Sequence, residues 1–296
     1  MRTRHMFGMA DLGRSGLGNK LFPHVRCMLW CRGKQVPMLP SRFVQFRLGP
    51  ILRGERDWRF YGGLFERPAL TDLALRATLP RLLPVRNEVS DQEFHSEAPR
   101  LGIYRFAGLG DYFRTLNGRH EEVLPALTGL LAPQWRDYLF RVSPAPVGIH
   151  VRLGDFTGNI LHPIEWYVEA LRLVRSIAGW VVPAKVFSDG TEKELARLLA
   201  IESVQRVEGP NAITDLLHLA KSRFLIGTGS STFGAWAAYL GQMPALTRTG
   251  NPFSWWNLVN QRGYHIGEVD VAAAPSTALI PDVARVLGER AVDAPN

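Results

Sequence analysis

The sequence predicts an α/β protein with a parallel sheet, on three observations. From position 147 onward, short apolar runs alternate with amphipathic helical runs, the pattern of strand-helix-strand units. The unusual polar residues of that half fall directly after the apolar runs, where the carboxyl ends of parallel strands gather loops and ligands. The segment RVSPAPVG, 141 to 148, reads as a linker, because its two prolines disfavour helix continuation.

At 296 residues the chain can hold one large or two medium domains, each burying its own core. With 46% hydrophobic and 21% charged residues it has the balance of an ordinary soluble globular protein. No apolar run approaches the roughly 18 residues that span a bilayer. The opening MRTRHMFGMADLG lacks a signal-peptide apolar region, so a cytoplasmic protein is expected. Cys27 and Cys31 stand one helical turn apart without clustered histidine, and are expected to be buried or idle thiols rather than a zinc set or a disulfide framework. Net charge is +8 with a pI near 9.9, which points to anionic partners. Arginines recur through 42 to 105 without a dense run or a lysine-rich tail, so a nucleic-acid arm is not indicated. A phosphorylated ligand handled beside anionic lipid fits that distribution.

In the first half, helices are predicted over 21 to 31, 70 to 83 and 135 to 140. After the linker, a strand at 147 to 152 precedes a helix at 163 to 177, where Ile164, Tyr167, Val168, Leu171 and Val174 recur at helical spacing. A strand at 185 to 188, helices at 191 to 199 and 215 to 222, and a strand at 224 to 226 follow. A helix resumes near Thr232 after a glycine-rich turn.

In VGIHVRLGDF, 147 to 156, alternation sends Val147, Ile149 and Val151 to one face and His150 and Arg152 to the other. A guanidinium stays charged and matches phosphate or carboxylate through two parallel hydrogen bonds. Arg152 therefore requires an anion, either a ligand or an internal partner such as Asp155. Ser188 and Asp189 end the next strand. In RFLIGTGSSTFGAW, 223 to 236, a strand enters a turn of Gly227, Thr228, Gly229, Ser230, Ser231 and Thr232, and a helix leaves with Phe233. Small residues at a helix amino terminus suit a diphosphate, unless this is an ordinary turn capped by Ser or Thr. It is not a Walker loop, since no Lys-Ser/Thr pair follows the glycines. DLGRSGLGNKLFPHVRC, 11 to 27, repeats the theme with Gly13, Gly16 and Gly18 before Asn19, either a close backbone approach to a ligand or a tight turn. Asp215 opens a helix whose dipole a carboxylate complements. His162 is a cap or loop residue beside Pro163, and Trp255 and Trp256 are core or a stacking platform.

Together these segments resemble the fucosyltransferase superfamily that includes bacterial and plant α-1,2-fucosyltransferases, α-1,6-fucosyltransferases and protein O-fucosyltransferases. SGLGNKLF (15 to 22) resembles its GxGNxLF signature and GIHVRLGDF (148 to 156) its H-x-R-R-x-D motif. DLLHLAKSRFLIGTGSSTFGAW (215 to 236) resembles its D-L-x-x-(large)-S/T-S/T-F-x-x-W block, in the family's order, so that the match covers 13 to 241. LHPIEWY (161 to 167) is similar to a segment of the α-1,6 branch, while the set as a whole looks most like bacterial α-1,2 enzymes of the glycosyltransferase family 11 type.

The resemblance implies a GT-B fold, two Rossmann-like domains facing across a cleft. Residues 1–144 would form the acceptor-side domain, 145–270 the nucleotide-sugar domain and 271–296 a carboxyl-terminal tail or helix. It also implies metal-independent, inverting transfer of fucose from GDP-fucose, without a cofactor, to a glycan hydroxyl on a surface polysaccharide or lipid-linked oligosaccharide. The expected partners are the GDP-sugar donor, the glycan acceptor and, peripherally, an anionic membrane, with no nucleic acid. Residue by residue, Arg152 matches the arginine on the β-phosphate and His150 the residue that reaches the nucleoside. Asp215 matches an acid facing the guanine, and Ser231 and Thr232 match donors to the diphosphate. Asn19 matches the asparagine that approaches from the other domain. The implied catalytic set is Arg152, Asp155 and Asn19. The implied nucleotide-sugar set is Gly16, Gly18, Asn19, His150, Arg152, Ser188, Asp189, Asp215, Ser230, Ser231, Thr232 and Phe233. Leu153 replaces the second motif arginine, and FTGN (156 to 159) carries no counterpart of the α-1,6 branch's glutamate base. Asp155 is then the nearest base, or an orienter of Arg152, and Asp189 stands where the family often has a second acid. Transfer of another GDP-sugar, or non-catalytic binding of a nucleotide-sugar or nucleic acid, are the alternative functions.

Overall fold

A computed structural model describes residues 6–46, 48, 60–88, 101–154, 162–248, 250, 257–273 and 277–288. The first half contains β1 (Met6–Asp11), α1 (Leu17–Lys34), β2 (Met38–Leu39), α2 (Leu70–Leu82), β3 (Val85–Asn87), β4 (Gly102–Ala107), α3 (His120–Leu130) and α4 (Pro133–Arg141). Its strands pair in parallel in the order β2-β1-β4-β3. Sequence periodicity hides part of this unit. Met6–Asp11 has no β-branched residue, and a Cβ at Gly8 would fall 2.2 Å from the Cys31 sulfur. The strand is thus built to lie against α1, where Cys27 and Cys31 are buried and free. Helix α3 escaped the pattern because Pro125 and Gly129 interrupt it. Helix α1 begins at Leu17 rather than 21, with Gly16 at its cap and Gly18 already helical.

The second half contains β5 (Val147–Val151), α5 (Ile164–Ala178), β6 (Ala184–Ser188), α6 (Glu192–Leu199), β7 (Val204–Arg206), α7 (Ala212–Leu219), β8 (Phe224–Gly227), α8 (Thr232–Gly241), β9 (Ala245–Arg248), β10 (Ile266–Val269) and α9 (Leu279–Leu287). These strands are also parallel, in the order β10-β9-β8-β5-β6-β7. β5 lies between β8 and β6 with all five residues buried, and Val147, Ile149 and Val151 face the core shared with α5 and α6. A capping box starts α6: the Thr191 N–H donates to Glu194 Oε2 at 2.7 Å and the Glu194 N–H to Thr191 Oγ1 at 3.3 Å. The Asn211 side chain caps α7, accepting from the Thr214 N–H at 3.1 Å, so this helix starts at Ala212 and not at Asp215. Helix α9 packs into the second core, where the Trp180 indole N–H donates to Leu287 O at 2.8 Å.

The other core does not respect the boundary between the sheets. Phe22 of α1, Phe113 and Leu116 of the first unit, and Trp236 and Tyr239 of α8 belong to one continuous cluster. Ring centroids of Phe22 and Trp236 lie 4.9 Å apart and those of Phe113 and Trp236 5.1 Å apart. The polar tips of the two large rings also cross: Trp236 Nε1 donates to Gly18 O at 2.8 Å and Tyr239 Oη to Leu116 O at 2.7 Å. The linker is fastened as well. Lys221 donates to Leu139 O, while Lys185 and His218 both reach Ser143 O at 3.1 Å. Burial lowers the pKa of all three basic groups.

Candidate active site

The polar residues meet where the carboxyl ends of β5, β6 and β8 face the first turn of α1. Thr228, fully buried just after β8, joins two of these strand ends. Its hydroxyl donates to His150 O at 3.2 Å and accepts from the Arg152 N–H at 3.0 Å. With its one proton so used, the 2.6 Å contact to Tyr167 is donated by the tyrosine. Burial pushes the Tyr167 phenol well above its ordinary pKa, which keeps that donor protonated. Removing the hydroxyl in Thr228→Val should strand these three groups and cost about 2–3 kcal/mol in urea unfolding. Thr228→Ser should stay near the parent.

Arg152 leaves β5 with its side chain 20% exposed and forms an ion pair with Asp189. The same carboxylate accepts the Leu153 N–H at 2.9 Å. Gly154 lets the carboxylate in, since a Cβ there would stand 2.3 Å from Asp189 Oδ2. Asp189 therefore orients Arg152 and the chain behind it, a role that sequence reasoning did not assign. Asp155, the expected base, lies outside the described residues, as do Trp255 and Trp256. The Ser188 hydroxyl supports its own loop by accepting the Gly190 N–H at 3.0 Å.

His150 is buried, with its ring stacked on Phe233 at 5.1 Å and 19°. Burial, reinforced by the Arg152 charge, lowers its pKa to about 3, so the ring is neutral at physiological pH. Its Nδ1 has no hydrogen-bond partner among the described residues. Asp215 projects from the first turn of α7 against Gly209, where a Cβ would lie 1.7 Å from its Oδ1. His162 accepts the Gly229 N–H through Nε2 at 3.3 Å, which ties the glycine-rich turn to the start of α5.

The two units touch at this point. Thr232 Oγ1, in the first turn of α8, donates to Asn19 Oδ1, in the first turn of α1, at 2.7 Å. Gly18 makes the approach possible: a Cβ there would lie 2.6 Å from Thr232 Oγ1 and 3.0 Å from the Phe233 nitrogen. Lys20, itself buried, holds the incoming loop by donating from Nζ to Gly13 O at 2.7 Å, and Tyr61 Oη accepts the Leu17 N–H at 2.8 Å. Neither α1 nor α8 has an acidic residue in its first turn, and neither N-cap residue caps its helix with a side chain; at α1 the Tyr61 hydroxyl takes the Leu17 N–H instead. Ser231 occupies the cap position of α8, yet its side chain does not cap the helix, so the ordinary capped turn is not what the chain builds. Two helix amino termini, each carrying partial positive charge, thus meet through Asn19 and Thr232, next to Phe233, on which His150 of β5 stacks. Gly18, Asn19, Thr232, Phe233 and His150 are in contact with one another, and Arg152 is paired with Asp189, while Gly16 and Ser231 hold the cap positions of α1 and α8. The roles of Tyr61, Tyr167 and Trp236 were not anticipated, because their partners are distant in sequence, and Lys20 carries no pattern that marks its bond to Gly13.

Two Rossmann-like parallel α/β units opposed in this way are a GT-B fold. Solved structures with the same architecture include fucosyltransferases. NodZ α-1,6-fucosyltransferase soaked with GDP-fucose aligns at 13% identity over 83% of this chain and 96% of NodZ, with a TM-score of 0.53. Fucosyltransferase NodZ from Bradyrhizobium aligns at 13% identity over 84% and 97%, also with a TM-score of 0.53. NodZ α-1,6-fucosyltransferase co-crystallised with GDP aligns at 13% identity over 81% and 93%, with a TM-score of 0.51. At the level of sequence, no protein-family model and no curated protein matches the chain.

Proposed function

We propose that this protein is a metal-independent, inverting glycosyltransferase that moves fucose from GDP-fucose to a hydroxyl of a glycan acceptor, a surface polysaccharide or lipid-linked oligosaccharide. The observation that carries the reading is the meeting of the amino termini of α1 and α8 through Asn19 and Thr232, at the end of β5 where the Arg152 N–H bonds Thr228 and His150 stacks on Phe233. Such an arrangement stabilises a diphosphate, and stabilises it most when a sugar-phosphate bond is breaking. The acceptor oxygen forms a bond to the anomeric carbon on the face opposite the diphosphate. The bond from that carbon to the β-phosphate oxygen breaks, and its electron pair stays on the phosphate. Preorganised N–H groups and a guanidinium meet that developing charge without reorganising. The acceptor proton passes to a carboxylate, for which Asp155 is the proposed group; Asp189 is engaged in holding Arg152. The neutral His150 ring and Phe233 offer an apolar wall for the nucleoside, and Asp215 an acceptor for the N–H edge of guanine. The motifs favour the α-1,2 branch.

Calorimetry with GDP and with GDP-fucose, both in EDTA, tests the reading. Binding of both, together with donor turnover when acceptor glycans are supplied, is the expected outcome. Absence of binding and of donor hydrolysis would reject it. A donor panel then separates fucose from other GDP-linked sugars.

A further inference from the structure

The first unit carries an asymmetry that the transfer chemistry does not use. Of the thirteen large apolar side chains exposed among the described residues, nine lie between positions 44 and 101. Helix α2 buries none of its side chains, and Leu70, Leu75 and Leu82 are 84%, 45% and 75% exposed. Its inner face is only half-covered, with Arg76 donating to Ala10 O at 2.9 Å, while Thr71, Leu75, Thr78 and Leu82 form an outward stripe at helical spacing. α2 packs beside β2. From the end of β2 the chain runs on to Phe46, 69% exposed, and Phe60 is brought alongside by the Gln45 N–H to Phe60 O bond of 3.1 Å. Charge is concentrated on the same stretch, with nine arginines against four acidic residues between 42 and 86.

A helix without a buried face draws little stability from tertiary packing, and exposed apolar side chains among like charges mark a surface made for a partner. A second copy of the chain is disfavoured, because self-association would bring two positive faces together. We propose that α2, with the segment 42 to 46 and Phe60, docks on the surface of an anionic bilayer. The leucine and phenylalanine side chains enter the boundary between headgroups and acyl chains, and the exposed Arg42, Arg67 and Arg81 lie at the lipid phosphates. Among the described residues no helix is long and apolar enough to cross a membrane, so the contact is interfacial. The docking does not depend on the transfer reading; where that reading also holds, the acceptor-side unit is held against lipid-linked saccharides.

Sedimentation of the full chain with vesicles tests this, without any sugar nucleotide present. The chain should sediment with phosphatidylcholine vesicles containing phosphatidylglycerol, stay in solution with phosphatidylcholine alone, and be released by high salt. The variant Leu70→Ser/Leu82→Ser, with an unchanged circular dichroism spectrum, should bind at least about tenfold more weakly. Arg67→Glu/Arg81→Glu should do the same through charge. Failure to bind anionic vesicles, or parental binding by both variants, would overturn the proposal. So would a dimer that the leucine variant abolishes. Loss of vesicle binding leaves GDP affinity untouched, so the two proposals fail separately.

Discussion

Arg152→Ala is expected to lower kcat for fucosyl transfer by about a hundred- to a thousandfold, on the scale of losing one donor from a preorganised anion hole. The asymmetry between turnover and binding follows from where charge appears. In bound GDP-fucose the β-phosphate shares its charge with the glycosidic oxygen through a covalent bond, and only as that bond breaks does the oxygen acquire a full charge. Arg152, fixed by Asp189 and by its own N–H bond to Thr228, is already in place at that moment. KM for the donor should therefore rise much less than kcat falls, which initial-rate kinetics at varied donor would resolve. Arg152→Lys should recover little, because a point charge cannot grip a carboxylate and a phosphate through one planar fork. The alanine variant also leaves Asp189 without its counter-charge, so Arg152→Ala/Asp189→Asn serves as the control for folding. An Arg152→Ala protein that is folded and turns over at the parental rate removes the arginine from the reaction.

Trp236→Ala should have the largest effect on stability, about 3–5 kcal/mol in chemical denaturation. The ring is completely buried, and it contacts Phe22, Phe113 and Tyr239 while its indole N–H reaches Gly18 O in the opposite unit. The loss is thus partly a cavity and partly an unsatisfied carbonyl. Because the cluster runs through both units, the parent should unfold in one transition by fluorescence and circular dichroism alike. Two well-separated transitions in the parent, or a loss below about 1 kcal/mol in the variant, would contradict a shared core. Trp236→Phe, which keeps most of the volume and loses the N–H, should cost about 1–2 kcal/mol.

What could be read from the chain alone was whatever is local. The alternation of β5, α5, β6, α6, β8 and α8 is visible because central strands and amphipathic helices write their burial into periodicity. Arg152 and the turn from Gly227 to Thr232 stood out because polar residues at strand ends are costly unless used. Strand Met6–Asp11 was invisible because its fit to α1 rests on Gly8 and two cysteines rather than on β-branched residues. Asp215 is indeed a first-turn acid of α7, but the helix starts three residues before it because Asn211 does the capping. Asp189 was noticed without its role, since nothing in spacing shows that its two oxygens serve Arg152 and the Leu153 N–H. Tyr167 read as an ordinary apolar-face residue of α5, although its hydroxyl reaches Thr228, 61 positions away. Trp236 and Gly18 meet across 218 positions, a relation that only the folded chain displays.

The shared core also bears on how the protein can be re-engineered. Grafting the first unit of another GT-B enzyme onto this second unit would leave Trp236 and Tyr239 facing a foreign surface, with their N–H and O–H groups deprived of Gly18 O and Leu116 O. Exchange of whole units is therefore a poor route to new variants here. Substitutions in the first unit are better confined to loops that lie away from the Phe22–Phe113–Trp236 contact, leaving the hydrophobic seam intact.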